Sequence, residues 1–113
     1  MERLPIIGIT MGDPASIGPE ISLKALNKKE IYEKCRPIIV GDSSVIEKAK
    51  EYTGLNNLKI NSISKVSDAL FEHGTIDVYD MNLVNVNDLE LGKVSSAAGN
   101  AAFQYVKKVI ELA

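Results

Sequence analysis

The stretch LPIIGITMGDPASIGPEI, from Leu4 to Ile21, decides the fold class. Its first part, Leu4 to Thr10, is a nearly continuous apolar run, which is typical of a β-strand buried on both faces of a parallel sheet. The turn-forming segment Gly12 to Pro14 closes that strand. From Gly18 to about Tyr32 the spacing predicts a helix, and Pro19 suits its first turn. The sequence therefore predicts a strand, a tight loop and a helix, with an apolar helix face formed by Ile21, Ala25 and Leu26.

A second unit of the same kind follows. Pro37 to Gly41 is another apolar run that predicts a strand, and Asp42, Ser43 and Ser44 are candidate caps for the helix after it. Gly54 is the predicted end of that helix, because glycine is common just beyond a helix terminus. The apolar residues at helical spacing predict the buried face of the helix: Val45, Ile46, Ala49 and Tyr52.

The middle of the chain has shorter patterns. Lys59 to Ile63 alternates as a short strand does, and Thr75 to Tyr79 (TIDVY) predicts another strand. Between them, Val66 to Glu72 is long enough for one or two helical turns. These elements extend the alternation of strands and helices.

The last part of the sequence predicts a long helix. Ser95 or Ser96 is its candidate cap, and the helix is expected to run to the final residue. Its apolar face is broad and needs another element to cover it: Ala98, Ala101, Ala102, Tyr105, Val106, Val109 and Ile110. Because strands and helices alternate, we predict an α/β fold of three layers, in which a largely parallel sheet is flanked by helices.

The composition narrows the class of protein. The 113 residues have the length of one domain, and 45% apolar and 25% charged residues are typical of a globular chain. A net charge of -2 without a basic block argues against nucleic-acid and anionic-membrane partners. Cys35 is the only cysteine, so an internal disulfide is excluded and a reducing cytoplasm fits. The apolar run that ends at Thr10 is too short for a signal peptide or a membrane span, so a cytoplasmic protein is expected.

The glycine loop, defined as Met11 to Glu20, is the segment where function is expected to concentrate, because ligands of parallel sheets bind beyond the carboxyl ends of the strands. One interpretation is that amides at the start of the following helix bind an anionic group of a nucleotide or a phosphorylated substrate. The other is that Gly12 and Gly18 only permit a tight turn and close packing, with Asp13 as a local cap. The glycine spacing is neither that of a G-x-G-x-x-G turn nor that of a P-loop, so the residues alone leave both interpretations open.

The remaining chemically active side chains favour structural roles. His73, the only histidine, is expected at the surface or in a turn, because a metal site needs several converging ligands. Cys35 is expected to be a small packing residue. Asp77 and Asp80 are spaced to face opposite sides of a strand, which argues against a paired acid and base. Asp80 stays a site candidate because it lies near the carboxyl end of that strand.

Four segments resemble the 4-hydroxythreonine-4-phosphate dehydrogenase family of pyridoxal phosphate biosynthesis. ITMGDPASIGPEI, at Ile9 to Ile21, is similar to the family's amino-terminal signature, which contains G-[DE]-P-A-G-I-G-P. GKVSSAAGNAAFQYVKKVIELA, at Gly92 to Ala113, resembles its next signature. PIIVGD at Pro37 to Asp42 and GTIDVYD at Gly74 to Asp80 are also similar to family sequence. The resemblance spans almost the whole chain and implies that residues 1–113 are the amino-terminal α/β segment of a longer two-domain dehydrogenase.

The resemblance also implies a fold, an activity and cofactors. The family has the fold of the isocitrate and isopropylmalate dehydrogenases, in which two domains flank a cleft and a homodimer completes each site. Its members oxidise and decarboxylate 4-phosphohydroxy-L-threonine, or the related D-threonate and D-erythronate 4-phosphates, with NAD or NADP and a divalent metal such as Zn, Mg or Co. The family's metal ligands are histidines that would lie outside this chain, so the 113 residues alone are expected to be inactive. The alternative is a stand-alone nucleotide-binding or interaction module without catalysis.

Within the glycine loop, the resemblance implies four cofactor-binding residues. Ile17 would touch the adenine of the dinucleotide, Gly12 and Gly18 would let the backbone come close, and Asp13 would hold the loop. The family usually has glycine at the position of Ser16. If that position requires a positive φ, serine adds a backbone cost of about 1 kcal/mol.

Overall fold

The computed structural model describes residues 4–12, 14–15, 17–84 and 95–112, and these form one four-stranded parallel sheet with helices packed on it. The strands are β1 (Ile6–Thr10), β2 (Arg36–Gly41), β3 (Lys59–Ile63) and β4 (Thr75–Asp80), in the order β1-β2-β4-β3. The helices are α1 (Gly18–Leu26), α2 (Lys29–Lys34), α3 (Ser43–Thr53) and α4 (Ser96–Leu112), with a single 3-10 turn at Val66–Asp68. In this part of the chain no helix is long and apolar enough to cross a membrane.

The strand register separates the two faces of the sheet. Gly8 pairs with Ile38, and a Cβ added at Gly8 would lie 3.4 Å from the side chain of Val109, so this face carries α4. Ser62 and Asp80 project from the opposite face and contact Ser43 of α3. Since α1 packs on α3, the sheet lies between α1 and α3 on one side and α4 on the other. The predicted α/β fold, a largely parallel sheet flanked by helices, is confirmed.

The core is continuous across the central strands. Strands β2 and β4 pair with each other through Ile39 and Val78, and both residues are buried. Leu23 of α1, Ile46 of α3 and Tyr105 of α4 pack into the same cluster. Burial of one such large apolar side chain stabilises a fold by about 1.5 to 3 kcal/mol. The central strands, rather than β1, therefore carry the core.

The expectation that the first strand is buried on both faces is wrong. Ile6 and Ile7 point to opposite faces of β1, yet they are 44% and 43% exposed. The reason is that β1 lies at the edge of the sheet and pairs only with β2, so no described strand covers its outer flank. A continuous apolar run does not by itself distinguish a central strand from an edge strand.

The helix predicted from Gly18 to Tyr32 is two helices. The chain leaves helical geometry at Lys28, whose ψ of 121° is extended, and α2 starts at the next residue. The break lets the Asn27 carbonyl meet the imidazole of His73, with Nε2 at 2.8 Å. The predicted face is also partly wrong, because Ile21 and Ala25 are exposed. The buried residues of α1 are Pro19, Ser22, Leu23 and Leu26.

The ends of the other helices agree more closely with the predictions. Gly54 ends α3 in the left-handed region with φ +74°, as predicted. Ser95 caps α4, since its Oγ accepts the Ala98 N–H at 3.1 Å. Tyr52, predicted on the buried face of α3, is instead exposed. Of the predicted turns at Val66 to Glu72, only the 3-10 turn is helical.

Candidate functional site

The candidate site is the edge of the sheet where the parallel strands end. Thr10, Gly41 and Asp80 are the last residues of β1, β2 and β4, and their neighbours pair in register at this edge. The glycine loop leaves β1 here and leads into α1. Carboxyl ends of parallel strands are the usual location of ligands in α/β folds.

The two glycines of the loop are required for different reasons. Gly12 has φ +74°, a left-handed backbone conformation that favours glycine. No atom lies within 4 Å of the position a Cβ would occupy, so the backbone conformation, and not lack of space, calls for glycine here. A Cβ on Gly18 would overlap the carbonyl oxygen of Met11, so its requirement is steric. Met11 itself is fully buried and donates its N–H to the Val40 carbonyl at 3.2 Å. The loop is thus fixed closely against the end of β2.

Ile17 is the most exposed apolar side chain of the loop. It directly precedes α1, its carbonyl accepts the Ile21 N–H at 3.0 Å, and its side chain is 62% exposed. An isoleucine in this position is available to a ligand. Its predicted contact with adenine, and the predicted cofactor roles of Gly12 and Gly18, stay predictions. The predictions for Asp13 and for the backbone at Ser16 fall outside the described residues.

Asp42 has a role that the sequence interpretation missed. It was expected to cap α3, and it does stand at the position before that helix, but its side chain makes no capping hydrogen bond. Instead Oδ1 accepts the hydroxyl of Tyr105 at 2.8 Å, and Oδ2 accepts the backbone N–H of Val84 at 2.8 Å. The signal available in the sequence was a tyrosine on the apolar face of α4, since a buried tyrosine hydroxyl needs a polar partner.

The carboxylate of Asp80 supplies the interaction that was expected of Asp42. It accepts the N–H of Ser43, the first residue of α3, at 3.1 Å, and the N–H of Asn82 at 3.2 Å. A carboxylate is favourable beside the positive end of a helix dipole. The hydroxyls of Ser43 and Ser62 are also hydrogen-bonded to each other beside it. Asp80 therefore joins the carboxyl end of β4 to the start of α3, and it is exposed at the candidate site.

Asp77 is a structural carboxylate. It is buried and accepts the side-chain amide of Asn61 at 2.8 Å and the backbone N–H groups of Leu70 and Phe71 at 3.1 and 2.9 Å. Its partners differ from those of Asp80, so the two carboxylates lie in different environments. Asp77 fixes the loop between β3 and β4.

His73 is an exposed residue in a turn, as predicted. Its Nε2 bonds the Asn27 carbonyl, and its ring makes an edge contact with Tyr32 at a centroid distance of 5.9 Å. Burial, with a smaller contribution from the charge of Asp77, raises the pKa of Tyr32 to about 12. Among the residues that the structure describes, no three His, Cys, Asp or Glu side chains converge as metal ligands would. Cys35 is half-buried between α2 and β2, in keeping with packing.

A second feature lies on the α4 face of the sheet. A cavity of about 320 Å³ is bounded by β1, β2, α4 and the 3-10 turn. Apart from Gly8, its lining residues all have apolar side chains: Ile6, Ile38, Val40, Val66, Val109 and Leu112. It does not include the glycine loop. Its lining offers no charged group to orient a polar substrate.

Comparison with known proteins places the chain in a family. Residues 33–113 match the family described as pyridoxal phosphate biosynthetic protein PdxA. A relative from Clostridium botulinum, named D-threonate 4-phosphate dehydrogenase, is 50% identical over 109 residues, which are 96% of this chain and 32% of the relative. A relative of the same name from Symbiobacterium thermophilum is 50% identical over all 113 residues, or 33% of its length. The chain thus spans about a third of the curated relatives it matches.

A solved structure supports the same assignment. The crystal structure of a 4-hydroxythreonine-4-phosphate dehydrogenase from Burkholderia phymatum matches with a TM-score of 0.92 and 43% identity. The match covers 98% of this chain and 33% of that protein. Both comparisons agree with the family expected from the sequence motifs. The chain belongs to the pyridoxal phosphate biosynthetic protein PdxA family.

Proposed function

We propose that these residues are the amino-terminal part of a longer, two-domain dehydrogenase that uses NAD or NADP to oxidise a phosphorylated hydroxy acid. The substrate would be 4-phosphohydroxy-L-threonine, or D-threonate or D-erythronate 4-phosphate, with decarboxylation after oxidation. Support comes from relatives named as dehydrogenases of such compounds. In this proposal, residues 1–113 form part of the cofactor side of the cleft.

The observation that carries the proposal is the geometry of the glycine loop. It lies at the carboxyl edge of a parallel sheet, Gly12 turns it through a left-handed conformation, and the apolar side chain of Ile17 is exposed beside it. A flat adenine ring needs an apolar contact, and a close backbone needs residues without a Cβ. The loop fits both requirements, so Ile17 would contact the adenine while Gly12 and Gly18 keep the backbone near the dinucleotide. Asp13 would hold the loop.

A divalent metal is proposed to be held elsewhere in the full-length protein. When bound, it would polarise the reacting oxygens as a Lewis acid. The described part of this chain has no cluster of metal ligands, so ligands would come from the rest of the protein. A homodimer and a cytoplasmic location are proposed on the same family grounds.

The test is an assay of the full-length protein with NAD and a divalent metal. We expect reduction of NAD with at least one of the three 4-phosphates supplied separately, and no reduction when the metal is chelated. Residues 1–113 alone should show no turnover, because the histidines proposed to hold the metal would lie in the rest of the protein. Turnover by the short chain would contradict the proposal and favour a different site. Binding of NAD by the full-length protein without turnover of any of these substrates would favour a non-catalytic module.

A further inference from the structure

The buried carboxylate of Asp42 lies where three parts of the chain meet. It is fully buried and directly follows β2. Its hydrogen bond from Tyr105 attaches α4, and its hydrogen bond from the N–H of Val84 attaches the segment that follows β4. One side chain therefore ties the carboxyl end of β2 to two elements that are distant in sequence.

The glycine loop rests on this same end of β2. Gly41, the residue before Asp42, packs so closely on the Met11 side chain that an added Cβ would lie 2.5 Å from Sδ. Gly18 in turn packs on the carbonyl of Met11. Because close-packed contacts transmit displacement, a shift at Asp42 would move Met11 and then the start of α1.

We infer that Asp42 is a positioning residue for the glycine loop, acting through Gly41 and Met11 rather than by touching a ligand. Its consequence for the cofactor rests on the proposed function. In that function the glycine loop would hold the dinucleotide rather than the reacting atoms of the substrate. Loss of the Asp42 contacts is therefore expected to weaken dinucleotide binding more than it slows the chemical step.

Asp77 provides a matched comparison within the same sheet. It is only 1% exposed and accepts hydrogen bonds from neutral donors, as Asp42 does. Its partners belong to β3 and to the loop before β4, far along the chain from the glycine loop. A change at Asp77 should therefore affect stability without moving that loop.

Four variants distinguish a positioning role of Asp42 from a purely structural one. Asp42→Ala removes both contacts. Asp42→Asn can keep both, because its amide oxygen accepts from Val84 and its amide nitrogen donates to the hydroxyl oxygen of Tyr105. Tyr105→Phe removes the hydrogen bond to Oδ1 of Asp42 and keeps the ring. Asn61→Ala is its counterpart, since it removes the hydrogen bond to Asp77, together with a longer one of 3.4 Å to the Asp68 carbonyl.

Each variant is made in the full-length protein and measured in two ways: amide hydrogen exchange in the peptide from Met11 to Ile21, and the KM for NAD. Asp42→Ala should speed exchange in that peptide by about fivefold or more. It should raise the KM about tenfold with a smaller change in kcat. Asp42→Asn should stay near the wild type, and Tyr105→Phe should lie between them. Asn61→Ala and Asp77→Ala should lower Tm but leave both the exchange in that peptide and the KM for NAD unchanged.

The inference is overturned if Asp42→Ala and Tyr105→Phe lower Tm but do not speed hydrogen exchange in the peptide from Met11 to Ile21. These variants would then behave like Asp77→Ala, and Asp42 would have a purely structural role. If Asp42→Ala does not fold, Tyr105→Phe and its counterpart Asn61→Ala decide the question with the same measurements. An absence of NAD-dependent turnover in the wild type would count against the proposed function instead. Exchange in the loop peptide would still decide the role of Asp42.

Discussion

At the scale of single residues, the two loop glycines illustrate how one residue type meets two physical needs. Gly12 occupies a left-handed conformation in open space, and an L-residue there strains only the backbone. Gly18 faces the carbonyl of Met11 with no room for a methyl group. The loop's position therefore depends on Gly18 more than on Gly12.

Gly12→Ala and Gly18→Ala are expected to differ in their cost. The left-handed backbone at Gly12 should cost about 1 to 2 kcal/mol for alanine. The Gly18 variant forces a backbone shift in a packed region, which typically costs about 1 to 3 kcal/mol and sometimes more. Urea denaturation of the full-length variants measures both. A neutral Gly18→Ala would show that the contact with Met11 is not closely packed.

Ile17 and Ile21 form a matched pair for the cofactor contact. Both are exposed, at 62% and 55%, and they lie one helical turn apart on the chain. Ile17→Asp should raise the KM for NAD about tenfold or more in the full-length protein, because it places a carboxylate against an apolar contact. Ile21→Asp should leave the KM within about twofold of the wild type. If the two variants change the KM for NAD equally, Ile17 does not make the proposed contact with the adenine.

At the scale of elements, local patterns predicted the strands and the α4 cap because those signals lie within a few residues. The apolar run Pro37 to Gly41 became β2, and Ser95 bonds an amide three residues later. The buried face of α1 was predicted only in part, because it depends on the elements that cover the helix, and α1 packs on α3. It was also not predictable that Asp80, rather than Asp42, accepts the first N–H of α3. The hydrogen bonds that decide this join residues 37 to 63 positions apart in the sequence.

The α4 cap gives a prediction at this scale. Ser95→Ala should lower the free energy of unfolding by about 1 kcal/mol, because the Ala98 N–H loses its acceptor at the helix start. Ser96→Ala, within the first turn of α4, should have a smaller effect, because alanine is a favourable helix former. Chemical denaturation of the full-length variants measures the difference. A larger loss of unfolding free energy for Ser96→Ala than for Ser95→Ala would show that Ser96 is the capping residue of α4.

At the scale of the whole molecule, the described residues leave much apolar surface uncovered. Ile6 and Ile7 are exposed on the edge strand, and Phe103 and Ile110 are exposed on α4. Large exposed apolar patches promote association of a protein in isolation. Since the relatives are about three times as long as this chain, the full-length protein is the form in which binding and stability are properly measured.

The proposed function requires the glycine loop to lie at the bound dinucleotide. Amide hydrogen exchange of the full-length protein with and without saturating NAD measures whether it does. We expect slower exchange on NAD addition in the peptide from Met11 to Ile21. We expect no change in a control peptide from Lys59 to Phe71, which contains β3 and part of the loop after it. Protection confined to other parts of the protein, with exchange in the glycine loop unchanged, would show that this loop does not contact the dinucleotide.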